Sequence, residues 1–224
     1  MTTNNEITKS TIWQQISEKC SWQAANVMGP LFAHTLMMGK VSIQTLSVEH
    51  IFQSMRQMDD MEIGMEMMIE GDLQGYLLVG YREQDIPLLL HGLPNFNPLT
   101  LRKHVKSRSF TVRETSNLLA ASFFNSLFEL CGYRSYPVWV PSESGFDTSK
   151  DITASPSLPS MVGNNGILQI DAEMIPIGSW MRGAINCRML YFPNLSSWAK
   201  LRRAQMHMPE GRETTEMPAN TFVC

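Results

Sequence analysis

One carboxylate and one amide stand three positions apart in the stretch TVRETSNLLAASFFNSLFEL, which runs from Thr111 to Leu130. On a helix this i, i+3 spacing puts Glu114 and Asn117 on one face, about a turn apart. Leu118, Phe124, Leu127 and Phe128 are then expected to face a core while the pair looks outward. The plainest chemistry for such a pair is structural. Thr111 followed three residues later by Glu114 fits the S/T-x-x-E capping box, and a helix beginning at Thr111 would place Glu114 in its first turn. By spacing alone the cap is the better reading.

Other constellations lose ground quickly. The chain has no GxSxG, no GxxxxGK[ST] and no HExxH, and its five histidines share no ligand spacing. No metal site is therefore expected. Glu62, Glu66 and Glu70 recur on alternate positions, which on a strand is a solvated face rather than an acid–base pair. The seventeen methionines read as space-filling core residues, Met65 and Met67 among them.

The elements that must position Glu114 and Asn117 follow from periodicity. Ile12 to Cys20 is helix-like, and Trp22 to Met38 continues in the same style up to Gly39. Val41 to Ser47 is strand-like. Glu62 to Glu70 alternates cleanly, with Ile63, Met65, Met67 and Ile69 on one face. After Gly71-Asp72 the run QGYLLVGY, from Gln74 to Tyr81, completes a hairpin, and Glu83 to His91 closes the unit as a helix. Beyond the loop Leu93 to Pro98 and the basic stretch Arg102 to Arg108, the order repeats. A long helix from Thr111 to Cys131 is stopped by Gly132; Arg134 to Val140 is a strand; Gly166 to Met174 and Met181 to Phe192 form a hairpin; Leu195 to Ala204 is a helix. Asn26 and Asn117 each precede a glycine, Gly39 and Gly132.

The expected architecture is α+β, a pseudo-two-fold repeat in which hairpins and single strands make one continuous, mostly antiparallel sheet with the long helices on one face. A single domain over 1–204 comprises half-repeats of about 11–92 and 109–204. Ser142 to Asn165 reads as a long inserted surface loop, and Gln205 to Cys224 as a disordered tail.

Composition narrows the function classes. Eighteen basic and twenty-one acidic residues leave a net charge of −3 over 224 residues, with the charges dispersed, so a nucleic-acid partner is not expected. The four cysteines lack CxxC spacing and read as reduced thiols. No apolar run approaches the ~18 residues of a membrane span, and Met1 to Ser10 carries no signal segment, so a cytoplasmic location is expected.

Two stretches bear on the helix pair. Asn26-Val-Met-Gly in the first half and Arg-Glu114-Thr-Ser-Asn117-Leu-Leu in the second resemble the E-x-x-N helices of the CheC/CheX/FliY phosphatase family. The hairpin Ile69-Glu-Gly-Asp-Leu-Gln-Gly-Tyr-Leu-Leu resembles that family's strand-Gly-Asp-x-x-Gly-strand stretch, and Tyr133 to Pro141 the segment after its second helix. The likeness covers roughly Ser21 to Ala204, with matching element order.

The resemblance implies a fold and a reaction: hydrolysis of the aspartyl phosphate on a CheY-type response regulator receiver. That reaction needs a water held in line with the leaving oxygen, and the receiver itself brings Mg²⁺, so no metal or organic cofactor of this chain is implied. Asn117 would orient the water, since an amide donates and accepts without titrating near neutrality. Glu114 would dock on the receiver's active-site lysine. In the first half Gln23 stands where the glutamate should be, and Pro30 removes the hydrogen bond to the Asn26 carbonyl, so Gln23 and Asn26 imply a degraded second site. Phe110 replaces the usual small polar residue four before Glu114. Two alternatives stay open. One is a non-catalytic receiver-binding scaffold comparable to FliM; the other is likeness of fold alone, with Glu114 a cap. A homodimer is also open, although two repeats could already supply the symmetric pair.

Overall fold

The computed structural model describes residues 12–33, 35–47, 50, 63–92, 105–139, 166–177 and 183–207. The sequence-predicted loop over 142–165, the Leu93 to Pro98 connection, the segment Met1 to Ser10 and the tail beyond His207 lie outside them.

The first helix, α1, runs unbroken over Ile12–Leu31. Ile12, Ile16, Cys20, Ala24 and Met28 recur every fourth position and are all buried, which is the stripe that holds α1 to the sheet. Helix was expected up to Met38, and the structure ends it earlier. Pro30 cannot donate to the Asn26 carbonyl, Phe32 N closes the last turn on Met28 O at 3.1 Å, and Ala33 turns to a φ of 48°. Thr35 Oγ1 then donates to the carbonyl oxygens of Phe32 and Gly92. Strand β1 therefore begins at Leu36 and runs to Leu46, and Gly39 is no helix stop. It lies within a register shift between Met38 and Val41, where a Cβ would come within 2.9 Å of Glu173 Oε2.

Strands β2 (Ile63–Gly71) and β3 (Gly75–Tyr81) form the first hairpin. Its turn needs both glycines. Gly71 has φ 107° and Gly75 φ 154°, and a Cβ would lie 2.5 Å from the Arg134 carbonyl oxygen at the first and 2.1 Å from that of Phe192 at the second. Between them, Asp72 N donates to Arg134 O while Arg134 N donates to Asp72 Oδ2, so the turn clasps the other half of the chain. A 3₁₀ turn over Glu83–Asp85 leads into α2 (Ile86–His91).

The second long helix, α3, spans Val105–Cys131 and is ended by Gly132 at φ 78°. It begins ahead of the expected Thr111, taking in the end of the basic stretch Arg102 to Arg108. Strand β4 (Ser135–Trp139) follows, then the hairpin β5 (Ile167–Pro176) and β6 (Ile185–Pro193). The last helix, α4, runs over Leu195–His207, three residues past the expected Ala204. Asn194 caps it, its Oδ1 accepting from Ser197 N at 2.8 Å.

The six strands make one antiparallel sheet in the order β1-β5-β6-β3-β2-β4. The repeat is visible in that order. The hairpins meet at the centre, β3 on β6 with Leu78 opposite Leu190, and each single strand crosses over to flank the other half's hairpin. The core lies under the helices, where Phe123 and Phe124 of α3 meet Tyr191 of β6 edge to face, with centroids 6.5 and 5.2 Å away. Leu78, Leu190 and Phe192 are buried on the opposite face of the sheet. No helix among the described residues is long and apolar enough to cross a membrane.

Candidate functional site

The long helices lie against each other antiparallel. Lys19 Nζ pairs with Glu129 Oε2, Gln23 Nε2 donates to Glu129 Oε1 at 2.8 Å, and Ser126 Oγ donates to Gln23 Oε1 at 3.3 Å, so residues later in α1 meet residues earlier in α3. Small side chains keep α3 close to its neighbours. Ser116, Ser122 and Ser126 fold their hydroxyls back onto the carbonyls of Val112, Leu118 and Ser122, and Ala120 is fully buried.

Thr111 and Glu114 sit inside α3, six or more residues from its start, and Thr111 is buried. The expected capping box is thereby overturned, and the first-turn reading of Glu114 with it. Asn117 is exposed and Glu114 half-buried, on the outward stripe of the helix. Phe124 and Leu127 face the core as expected and Leu118 is half-buried, but Phe128 is 40% exposed with the Arg134 guanidinium 5.1 Å over its ring.

Asn26 on α1 is also exposed. Among the described residues neither Asn26 nor Asn117 has a side-chain hydrogen-bond partner. The residues three positions before them differ. Gln23 has both ends of its amide engaged in the helix contact, whereas among the described residues Glu114 meets only Arg113, Nε to Oε1 at 3.5 Å. At that length the pair is loose, and the carboxylate keeps its acceptor positions open.

Arg113 is the neighbour that periodicity does not find. Its guanidinium carbon lies 5.6 Å from the ring centroid of Phe110 and 5.4 Å from that of Trp139 on β4, and both rings are exposed. The one signal in the sequence is Phe110 itself, out of keeping at its position. Beneath this surface Ser116 Oγ donates to Tyr81 Oη at 3.3 Å, and burial holds the Tyr81 hydroxyl well above its usual range. Among the described residues no cluster of three His, Cys, Asp or Glu side chains could hold a metal ion.

The chain has the fold of FliY and of the FliM middle domain. The FliM middle domain of Vibrio alginolyticus matches with a TM-score of 0.54 at 11% identity, over 86% of this chain and 98% of that one. FliM in a FliG–FliM complex from H. pylori matches with a TM-score of 0.55 at 10% identity, over 84% and 96%. FliY of Thermotoga maritima matches with a TM-score of 0.51 at 14% identity, over 87% and 97%. No family model matches the sequence, and neither does any curated protein. The resemblance stated from the sequence thus stands, through FliY, as one of fold, and the fold alone does not choose between an enzyme and a scaffold.

Proposed function

We propose that this chain hydrolyses the aspartyl phosphate of a CheY-type receiver through a single site on α3. The observation that carries the reading is the contrast between the two helices. Glu114 and Asn117 stand a turn apart on an exposed stripe with polar atoms to spare, whereas Gln23 is spent on holding α1 to α3. Asn117 would accept from and donate to a water aimed at the phosphorus, and Glu114 would bind the receiver's lysine and set the distance. The chain supplies positioning; Mg²⁺ comes with the receiver. Asn26, with Gln23 withdrawn, forms a degraded site. The reaction would run in the cytoplasm with the phosphorylated receiver as partner, and the two halves provide the symmetric pair without a second copy.

A second reading, a non-catalytic receiver-binding or scaffold module, is favoured by the likeness of fold to FliM. One experiment separates them: decay of a phosphorylated CheY-type receiver with Mg²⁺, alone and with the parent, Asn117→Ala, Glu114→Ala and Asn26→Ala proteins. The phosphatase reading expects faster decay, lost by about a hundred-fold in Asn117→Ala and retained in Asn26→Ala. Binding without acceleration leaves the scaffold.

A further inference from the structure

Arg113 is held in a way that exposed arginines ordinarily are not. Two aromatic faces from different elements, Phe110 on α3 and Trp139 on β4, flank its guanidinium at 5.6 and 5.4 Å, although the rings are 54% and 45% exposed. Exposed aromatic surface around a fixed cation is the composition of binding hot spots, because the side chain surrenders little freedom when it meets an anion. Its planar donors match phosphoryl oxygens. The side chain also sits beside Glu114, at 3.5 Å, and one helical turn from Asn117. The loose ion pair leaves the guanidinium's donors unspent among the described residues.

Among the described residues the first half has nothing comparable. At the matching positions of α1 stand Trp22, which is neutral, and Lys19, which is tied to Glu129. A cation poised beside the acid–amide pair therefore belongs to the α3 site alone.

We infer that Arg113 is a specificity residue that reads the phosphorylated state of the receiver, its stacked guanidinium donating to the phosphoryl oxygens when the acid–amide pair is docked. The inference rests on the receiver reading above. Phosphorylation replaces the single charge of the aspartate carboxylate with the two of an acyl phosphate and sets out three strong acceptor oxygens, which is the difference a preorganised guanidinium can register. An unphosphorylated receiver offers the same lysine to Glu114 but no such acceptors.

The test is equilibrium binding of the full chain to a CheY-type receiver, with and without beryllofluoride and Mg²⁺ as the phosphoryl mimic. The parent is expected to prefer the loaded form. Arg113→Ala should lose about ten-fold of that preference while keeping its affinity for the unloaded form and its thermal midpoint. Arg113→Lys should keep part of the preference, and Trp139→Leu, which leaves the charge but removes one face, should lose a few-fold. A preference unchanged in Arg113→Ala overturns the inference and leaves the functional reading intact. So does tighter binding of both forms by Arg113→Ala, which would make Arg113 a competitor for Glu114. A parent without preference for the loaded form overturns the inference as well, and the functional reading then rests on receiver decay alone.

Discussion

Gln23 of α1 donates from Nε2 to Glu129 Oε1 of α3 at 2.8 Å, and this bond ties the first half's counterpart of Glu114 into the helix contact. Its Oε1 is taken as well, by Ser126. An amide satisfies both neighbours because it donates on one side and accepts on the other; a carboxylate cannot.

Gln23→Glu is accordingly expected to weaken the fold rather than restore a site. The new charge would face Glu129, costing about 0.5 kcal/mol, and the like-charge term should shrink in high salt. Urea midpoints of the single variant and of Gln23→Glu/Glu129→Gln check this, since the double variant should recover the loss.

Glu114→Gln separates a structural residue from a binding one. Glu114 lies inside α3 and, among the described residues, makes only the long pair with Arg113, so the substitution should change stability by less than about 0.5 kcal/mol. Under the proposed function it should also slow receiver dephosphorylation by about ten-fold or more. A loss of about 1 kcal/mol with activity unchanged would make Glu114 a structural residue of α3 and nothing more.

The Gly71-Asp-x-x-Gly75 turn is expected to be intolerant. Alanine at Gly75 would place a methyl 2.1 Å from the Phe192 carbonyl oxygen, across the central contact between the halves. Gly75→Ala should cost several kcal/mol, about the scale of a large core truncation such as Phe124→Ala at about 3–5 kcal/mol. Denaturant unfolding of both variants measures it.

Stability should fall in alkali. Burial pushes the Cys20 and Cys187 thiols from 9.0 up to about 12, and Tyr81 is raised in the same direction by burial. Above pH 9.0 the unfolded chain loses these protons while the folded one keeps them, so each further rise in pH favours unfolding until the folded thiols also ionise near 12. Urea midpoints should show no contribution from these groups below about pH 8.5 and then decline. In the native protein at neutral pH, both thiols should resist a thiol-specific reagent.

Much of the fold was legible because it is written locally. The alternation Ile63, Met65, Met67, Ile69 is a property of residues two apart, and Met65, Met67 and Ile69 are buried as that alternation requires. Gly132 ends α3 through its own backbone, and Gly71-Asp-x-x-Gly75 marks a hairpin by its turn chemistry. The order of elements in both halves follows from such signals. Helix ends did not. Leu36, Met37 and Met38 suit a helix as readily as a strand, and what made them strand is the pairing of β1 with β5, on the far side of the chain.

The candidate site divides the same way. That Glu114 and Asn117 share a helix face, one turn apart, was determined by their spacing in the sequence. That Gln23 departs from the expected glutamate was also legible there; that its amide is engaged by Glu129 and Ser126 across the helix pair was decided only by tertiary contact, as was the meeting of Arg113 with Trp139 from helix to strand. Interactions between residues far apart in sequence leave no periodic trace along it, and the strand exchange that sets each single strand against the other half's hairpin is of that kind as well.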